Sequence, residues 1–310
     1  MADMTTPRLC VLLLALTGSA TALGGTDTCR AVVREAPAGS LSDIDYVTIN
    51  KALLTSDPTQ RLIALTGELK KLDLAHAPEA PLVRHRLLMA TAQTQATLGM
   101  DTAAMGNLKR LPVNSPVAPQ ALMFMADIEV KEGKPRAAVR WLRQLADLYP
   151  QESLTIHALW RAAELNHPHS RQALALWQEA ARQADQALAS AQSWRDRSQQ
   201  PDFVDTVSSA TLSPELWRLT RTTFTDPAFA SADAAQASAR QQLQCIGAGQ
   251  SAQLAELNAK LGDSRARMQT LLQQRLTTAV QDWEQLAAEA HYRLADAQEP
   301  RIHPGIVTRD

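Results

Sequence analysis

Two glycines, Gly99 and Gly133, stand 34 residues apart, and small and large apolar residues recur around them at the same interval. Each glycine follows a stretch in which apolar residues recur every three or four positions, the period of one helix face. A glycine in this place predicts a helix end, because glycine readily adopts the left-handed conformation that helix termini use. Pro135 then stands where a second helix would begin. The pattern predicts helical hairpins, which must stack because a single hairpin cannot bury its apolar stripe.

The same interval relates further apolar residues of the predicted hairpins. The repeated pairs are Leu88 and Leu122, Met89 and Met123, Ala92 and Ala126, Ala104 and Ala138, and Leu108 and Leu142. The first repeat is predicted from about Glu79 to Pro112 and the second from about Pro116 to Pro150. A third helix pair is predicted from Glu152 to about Ser193, and a capping pair from Ser42 to about Leu72 precedes them. Aromatic residues make up only 4% of the chain, a composition that disfavours sheet.

Residues 119–152 resemble a tetratricopeptide repeat. The residues that carry this resemblance are Leu122, Ala126, Gly133, Ala138, Leu142 and Pro150. Glu129 and Leu145 depart from the motif, which prefers an aromatic residue and an alanine there. Leu148–Leu165 is also similar to repeat junctions of envelope proteins in outer-membrane assembly and Tol-Pal systems, and residues 274–296 are similar to the last helix of repeat proteins linked to TonB-type energy transduction. The fold implied is an all-α, tetratricopeptide-like solenoid.

The resemblance also implies a concave surface, lined by the first helix of each hairpin, that holds peptides or extended segments. Carried over residue by residue, the motif places on that surface Arg86, Met89 and Gln93 of the first repeat and Gln120, Met123, Asp127 and Lys131 of the second. Amide, charged and methionine side chains suit a peptide backbone with adaptable side-chain contacts. An ordinary solvated helix face is the alternative interpretation of these residues.

The first 22 residues predict a signal peptide. Arg8 precedes an apolar run that ends at Leu16, and Ala20-Thr21-Ala22 offers a cleavage site, so we expect cleavage after Ala22. The run is shorter than the roughly 20 apolar residues of a membrane span, although an uncleaved anchor or a buried strand is an alternative. We therefore expect a periplasmic protein that is not inserted in the membrane after cleavage. Residues 23–41 are predicted to be a flexible leader.

Cleavage would leave two of the three cysteines, Cys29 and Cys245. Two cysteines in an oxidising compartment predict a disulfide bond. In the chain-entropy model, a bond that closes so long a loop stabilises the fold by roughly 3–5 kcal/mol. Two unpaired thiols are the alternative.

A change in composition separates the repeats from a C-terminal module. Residues 195–213 are polar and predict a linker, so the repeat domain covers 42–194 and the module 214–299. The apolar pattern of the module predicts a final helix of about 48 residues, or two helices if Gly262-Asp263 ends one and begins another. Sustained three-four spacing favours a coiled-coil-like hairpin or a dimer contact. Residues 300–310 are predicted to be a disordered tail.

The sequence carries no motif that predicts a catalytic, cofactor-binding or metal-binding residue. His167 and His169 are a close histidine pair, but their place in a predicted turn favours a solvated connection over a zinc site. Gly247-Ala248-Gly249 lacks the preceding strand of a dinucleotide loop and predicts a helix break. The balance of 31 basic and 32 acidic residues argues against nucleic acid as the main partner.

Three hypotheses follow for the function. We favour a non-enzymatic periplasmic scaffold or adaptor that binds another cell-envelope protein through its repeat surface. The first alternative is a homodimeric structural subunit assembled through the long C-terminal helix. The second is an envelope enzyme acting on glycans, which would need a cleft with paired acidic residues that the sequence does not indicate.

Overall fold

The protein is described by a computed structural model. The residues described are 45–72, 80–150, 152–166, 170–208, 213–224, 226–245 and 251–299. Their regular secondary structure is α-helical, and these ranges contain no strand. The all-α prediction is confirmed. The predicted signal peptide, leader and tail lie outside these ranges, as do Cys29, His167, His169 and Gly247–Gly249, and nothing is described of the Cys245 side chain.

Twelve helices occupy the described ranges. They are α1 Tyr46–Leu54, α2 Pro58–Leu72, α3 Ala80–Thr97, α4 Asp101–Leu108, α5 Ala118–Lys131, α6 Pro135–Leu148, α7 Ser153–Leu165, α8 Arg171–Arg197, α9 Phe203–Ser208, α10 Pro214–Phe224, α11 Pro227–Cys245 and α12 Ser251–Gln298. From α1 to α7 each helix packs against the next one along the chain, and α5 also contacts α7. This order of packing confirms the predicted solenoid of helical hairpins.

The two predicted glycine turns share one geometry. Gly99 has φ +76° and Gly133 has φ +72°, so both adopt the left-handed conformation. Just after them, the N–H of Met100 donates to the carbonyl of Gln95 at 2.8 Å, and the N–H of Lys134 donates to the carbonyl of Glu129 at 2.8 Å. These bonds satisfy carbonyl groups that a helix end leaves without a partner. Both glycines therefore end a first helix and allow the second to fold back.

The repeated apolar residues form the interior of the hairpins. Those that are at most 1% exposed are Leu88, Ala92, Ala104, Leu108, Ala126, Ala138 and Leu142. Alanines at the helix crossings let the backbones approach closely, and the leucines fill the space between them. The third hairpin keeps a buried leucine at the equivalent position, Leu176, but places Trp160 where the first two hairpins have Ala92 and Ala126.

The described residues fall into two compact units. One comprises 45–195 and 277–299 and contains the stacked hairpins, and the other comprises 196–276. The final helix α12 is continuous over 48 residues, so the single-helix alternative is correct and Gly262 does not interrupt it. A glycine inside a helix costs only about 1 kcal/mol relative to alanine, which favourable packing elsewhere along the helix easily offsets.

The second unit has its own apolar interior. Phe203 and Val204 of α9 are buried, so the polar segment predicted as a linker contains a helix that packs within this unit. On α12, Met268, Leu272 and Leu276 are buried. The side-chain amide of Gln273 donates to the carbonyl of Ser198 at 2.9 Å and anchors the chain before α9.

Candidate partner-binding face

Exposed polar side chains repeat along the first helices of the three hairpins. We call the following residues the first-helix face: Arg86 and Gln93 on α3, Gln120, Asp127 and Lys131 on α5, and His157 and Arg161 on α7. Within each helix they are separated by four, seven or eleven residues, which places them on one side of the helix. Gln93, Asp127 and Arg161 stand at the same position of successive 34-residue repeats.

The predicted binding residues differ in how much of each side chain is exposed to solvent. Five of them, Arg86, Gln93, Gln120, Asp127 and Lys131, are exposed. Met123 is half-buried, whereas Met89 is only 9% exposed and contributes mainly to the interior of its hairpin. The two methionines are therefore less available to a partner than the polar residues around them.

The pKa of Asp127 on this face departs from its ordinary value. Partial desolvation raises the pKa of its carboxyl group above the ordinary value, and the charge of Arg161 on α7 acts in the opposite direction. Among the described residues, no hydrogen bond or ion pair is formed by this carboxylate. A carboxylate that has lost part of its hydration without gaining a donor favours an N–H group or a cation from outside.

Lys131 is engaged within the stack. Its ammonium group lies 2.8 Å from the carboxylate of Asp101, which begins the second helix of the preceding hairpin. This ion pair joins α4 to α5. Within the first hairpin, the side-chain amide of Asn107 on α4 donates a hydrogen bond at 2.8 Å to Gln95 on α3. Lys131 therefore contributes to the contact between hairpins, and a partner would compete with Asp101 for it.

The end of α12 borders the first-helix face at the third hairpin. The guanidinium of Arg293 lies 4.5 Å from the ring centroid of Trp160 and 6.0 Å from that of Trp177. It also forms ion pairs with Glu164 at 3.2 Å and with Glu289 at 2.8 Å. Two residues before Arg293, His291 of α12 contacts Asp185 of α8 at 3.0 Å.

His157 connects the face to this cluster. Its ring meets the Trp160 ring edge-on, with centroids 4.9 Å apart and planes at 88°. Partial desolvation lowers the pKa of His157, Arg293 acts in the same direction, and Glu289 opposes them. The imidazole is therefore neutral at pH 7 and offers one donor and one acceptor to a partner.

Sequence reasoning missed the residues of the third hairpin and of α12. A further 34-residue step from Met123 and Asp127 leads to His157 and Arg161, so the repeat interval could have predicted this part of the face. The contribution of Arg293 has no local sequence signal, because it depends on the packing of residues far apart in the chain.

Two other kinds of site are not found among the described residues: a metal-binding group and a membrane-spanning helix. They contain no group of three or more histidine, cysteine or acidic side chains placed to hold a metal ion. No helix in the described ranges is both long and apolar enough to cross a membrane.

Comparisons of this chain with protein-family models, with curated proteins and with solved structures find no match.

Proposed function

We propose that this protein is a non-enzymatic periplasmic scaffold or adaptor whose first-helix face binds an extended segment of another cell-envelope protein. The observation that carries the proposal is Asp127, a partly desolvated carboxylate without a hydrogen-bond partner among the described residues, on an exposed face that repeats through three hairpins. Such a group gains most from an incoming N–H donor, and an extended peptide supplies one at every second residue on each side.

The composition of the face supports a protein partner. Gln93 and Gln120 offer both donors and acceptors, and Arg86 and Arg161 offer forked donors that match carboxylates. The face carries both signs of charge, with Asp127 between the basic side chains of Arg86, Lys131 and Arg161, as expected for a surface that binds a mixed polar segment. A uniformly basic surface, by contrast, would favour nucleic acid or anionic lipid.

The proposed location rests on the sequence before the described residues. The predicted signal peptide and the likeness to envelope repeat proteins both favour the periplasm. A disulfide between Cys29 and Cys245 is part of the same proposal. Mass spectrometry of the exported protein with and without reductant checks both the cleavage after Ala22 and the bond.

Charge reversal on the face tests the proposal. We expect Asp127→Lys and Arg161→Glu to reduce capture of the physiological partner from an envelope extract by at least about tenfold, because each places a like charge where the partner has a complementary group. Asp147→Lys and Arg143→Glu are matched controls on the second helix α6, where both residues are exposed. Equal loss in all four variants, or unchanged capture in the first two, contradicts the proposal.

A homodimer through α12 is the second candidate function. Leu254, near the start of α12, is 45% exposed and lies among exposed residues, so this end of the helix offers an apolar side chain to a second copy. Light scattering at micromolar concentration tests it directly. A monomer excludes this candidate, and a dimer that Leu254→Gln dissociates supports it.

A further inference from the structure

The last two turns of α12 are held differently from the segment 264–290 that precedes them. Leu286, Ala287 and Ala290 are buried, whereas no side chain from 291 to 298 is buried. The contacts described for this terminal segment are polar: Arg293 with Trp160 and two carboxylates, and His291 with Asp185. Exposed ion pairs contribute little net stability, because solvent screens them and the side chains lose conformational freedom. The terminal turns therefore open more easily than the segment 264–290 that precedes them.

The residues around Arg293 form a socket suited to a cation. Trp160 and Trp177, which are 3% and 8% exposed, provide aromatic faces, and Glu164 and Glu289 provide the carboxylates. A guanidinium matches both features, because it stacks on aromatic rings and binds carboxylates through its N–H groups. The socket is special to the third hairpin, since the first two hairpins have Ala92 and Ala126 at the position of Trp160.

We propose that this socket, formed by Trp160, Trp177, Glu164 and Glu289, binds an arginine side chain of the partner protein, and that Arg293 occupies it as the chain's own substitute ligand. The proposal rests on the proposed function, because His157 belongs to the first-helix face and touches Trp160. A segment lying along the face thus reaches the socket at its third-hairpin end.

Exchange between the two arginines is energetically accessible. A cation–π contact at a partly exposed site changes an equilibrium constant by about two- to fivefold. An incoming arginine regains the contacts that Arg293 gives up, and the side chain of Arg293 is already 35% exposed. The tethered Arg293 competes at a high effective concentration, so it makes the socket selective for partners that also engage the face.

Peptide binding to the intact chain tests the socket. The probe is a blocked pentapeptide with a central arginine between glycines, and its control has citrulline, which keeps the shape but lacks the charge. We expect Arg293→Ala to bind the arginine peptide about three- to sixfold more tightly than the unsubstituted protein by calorimetry, because it removes an internal competitor, and to discriminate against the citrulline peptide. Arg267→Ala, at an exposed arginine elsewhere on α12, should bind as the unsubstituted protein does.

Two further variants keep the test decisive. Arg293→Gln retains a long side chain if Arg293→Ala proves unstable, and Glu164→Gln combined with Arg293→Ala should lose most of the gained affinity. Equal binding of both peptides, or no gain in either Arg293 variant, overturns the proposal and leaves Arg293 as a purely structural contact. Asp127→Lys should leave peptide binding to the socket unchanged, so failure of the face and failure of the socket are distinguishable.

Discussion

Asp127 and Arg161 stand at the same position of successive hairpins, and the arginine lowers the pKa of a carboxyl group that partial desolvation raises more strongly. The helices that carry them, α5 and α7, are in contact. The charge of Asp127 is therefore only partly compensated within the stack. A folded protein that keeps such a charge gives up some stability, and the binding function proposed above accounts for its presence on this face.

The pH dependence of stability tests this electrostatic description. Because the pKa of Asp127 is raised in the folded state, its ionisation destabilises the fold, and stability falls as pH rises through the window between the unfolded and folded values. We expect Asp127→Asn to stabilise the protein at pH 7 by less than about 1 kcal/mol, since the group is exposed and screened. The gain should vanish in urea titrations at a pH below both values, and a gain that is the same at every pH would contradict the description.

The glycine turns give a prediction with an internal control. Gly133→Ala places a Cβ in a left-handed conformation, at φ +72°, and should destabilise by about 1–2 kcal/mol. Gly106 lies inside α4, where an added Cβ would meet nothing within 4 Å. Gly106→Ala should therefore stabilise by about 0.5–1 kcal/mol. Chemical denaturation of both variants measures the difference, and the same sign in both would contradict the assigned turn.

Core substitutions test the stacking of hairpins. Leu142 is 0% exposed, and Leu142→Ala should cost about 2–5 kcal/mol through lost burial and a residual cavity. Leu108→Ala, at the equivalent position of the preceding hairpin, should cost a similar amount. Leu148 on α6 is 42% exposed, so Leu148→Ala should change the free energy of unfolding by less than about 0.5 kcal/mol. Thermal denaturation with matched urea curves separates the buried positions from the exposed one.

The sequence predicted those features of the fold that depend on local chemistry. Gly99 and Gly133 were recognisable as helix ends because a left-handed turn nearly requires glycine. The buried alanines and leucines were recognisable as interior residues because they recur at the repeat interval. Whether α12 is one helix or two was not decidable locally, since the small cost of Gly262 is offset by packing along that helix.

The candidate site was predictable only where it repeats. The exposed residues of α3 and α5 follow from the motif, and one more repeat interval leads to His157 and Arg161. The socket around Arg293 was not predictable, because it joins Trp160, Trp177 and the end of α12, which are distant in sequence and come together only through tertiary packing. The one local indication was Trp160 itself, a large residue at the repeat position where the first two hairpins have alanine.

Site-specific photo-crosslinking in intact cells tests the central claim most directly. A benzophenone amino acid replaces Gln93 or Gln120 on the first-helix face, or Gln144 or Gln172 on the second helices α6 and α8, all of which are exposed. We predict that the two first-helix positions form a crosslink to the same envelope protein and that the two second-helix positions do not. Crosslinks of equal yield from both sets, or none from Gln93 and Gln120, would contradict the assignment of this face as the partner-binding surface.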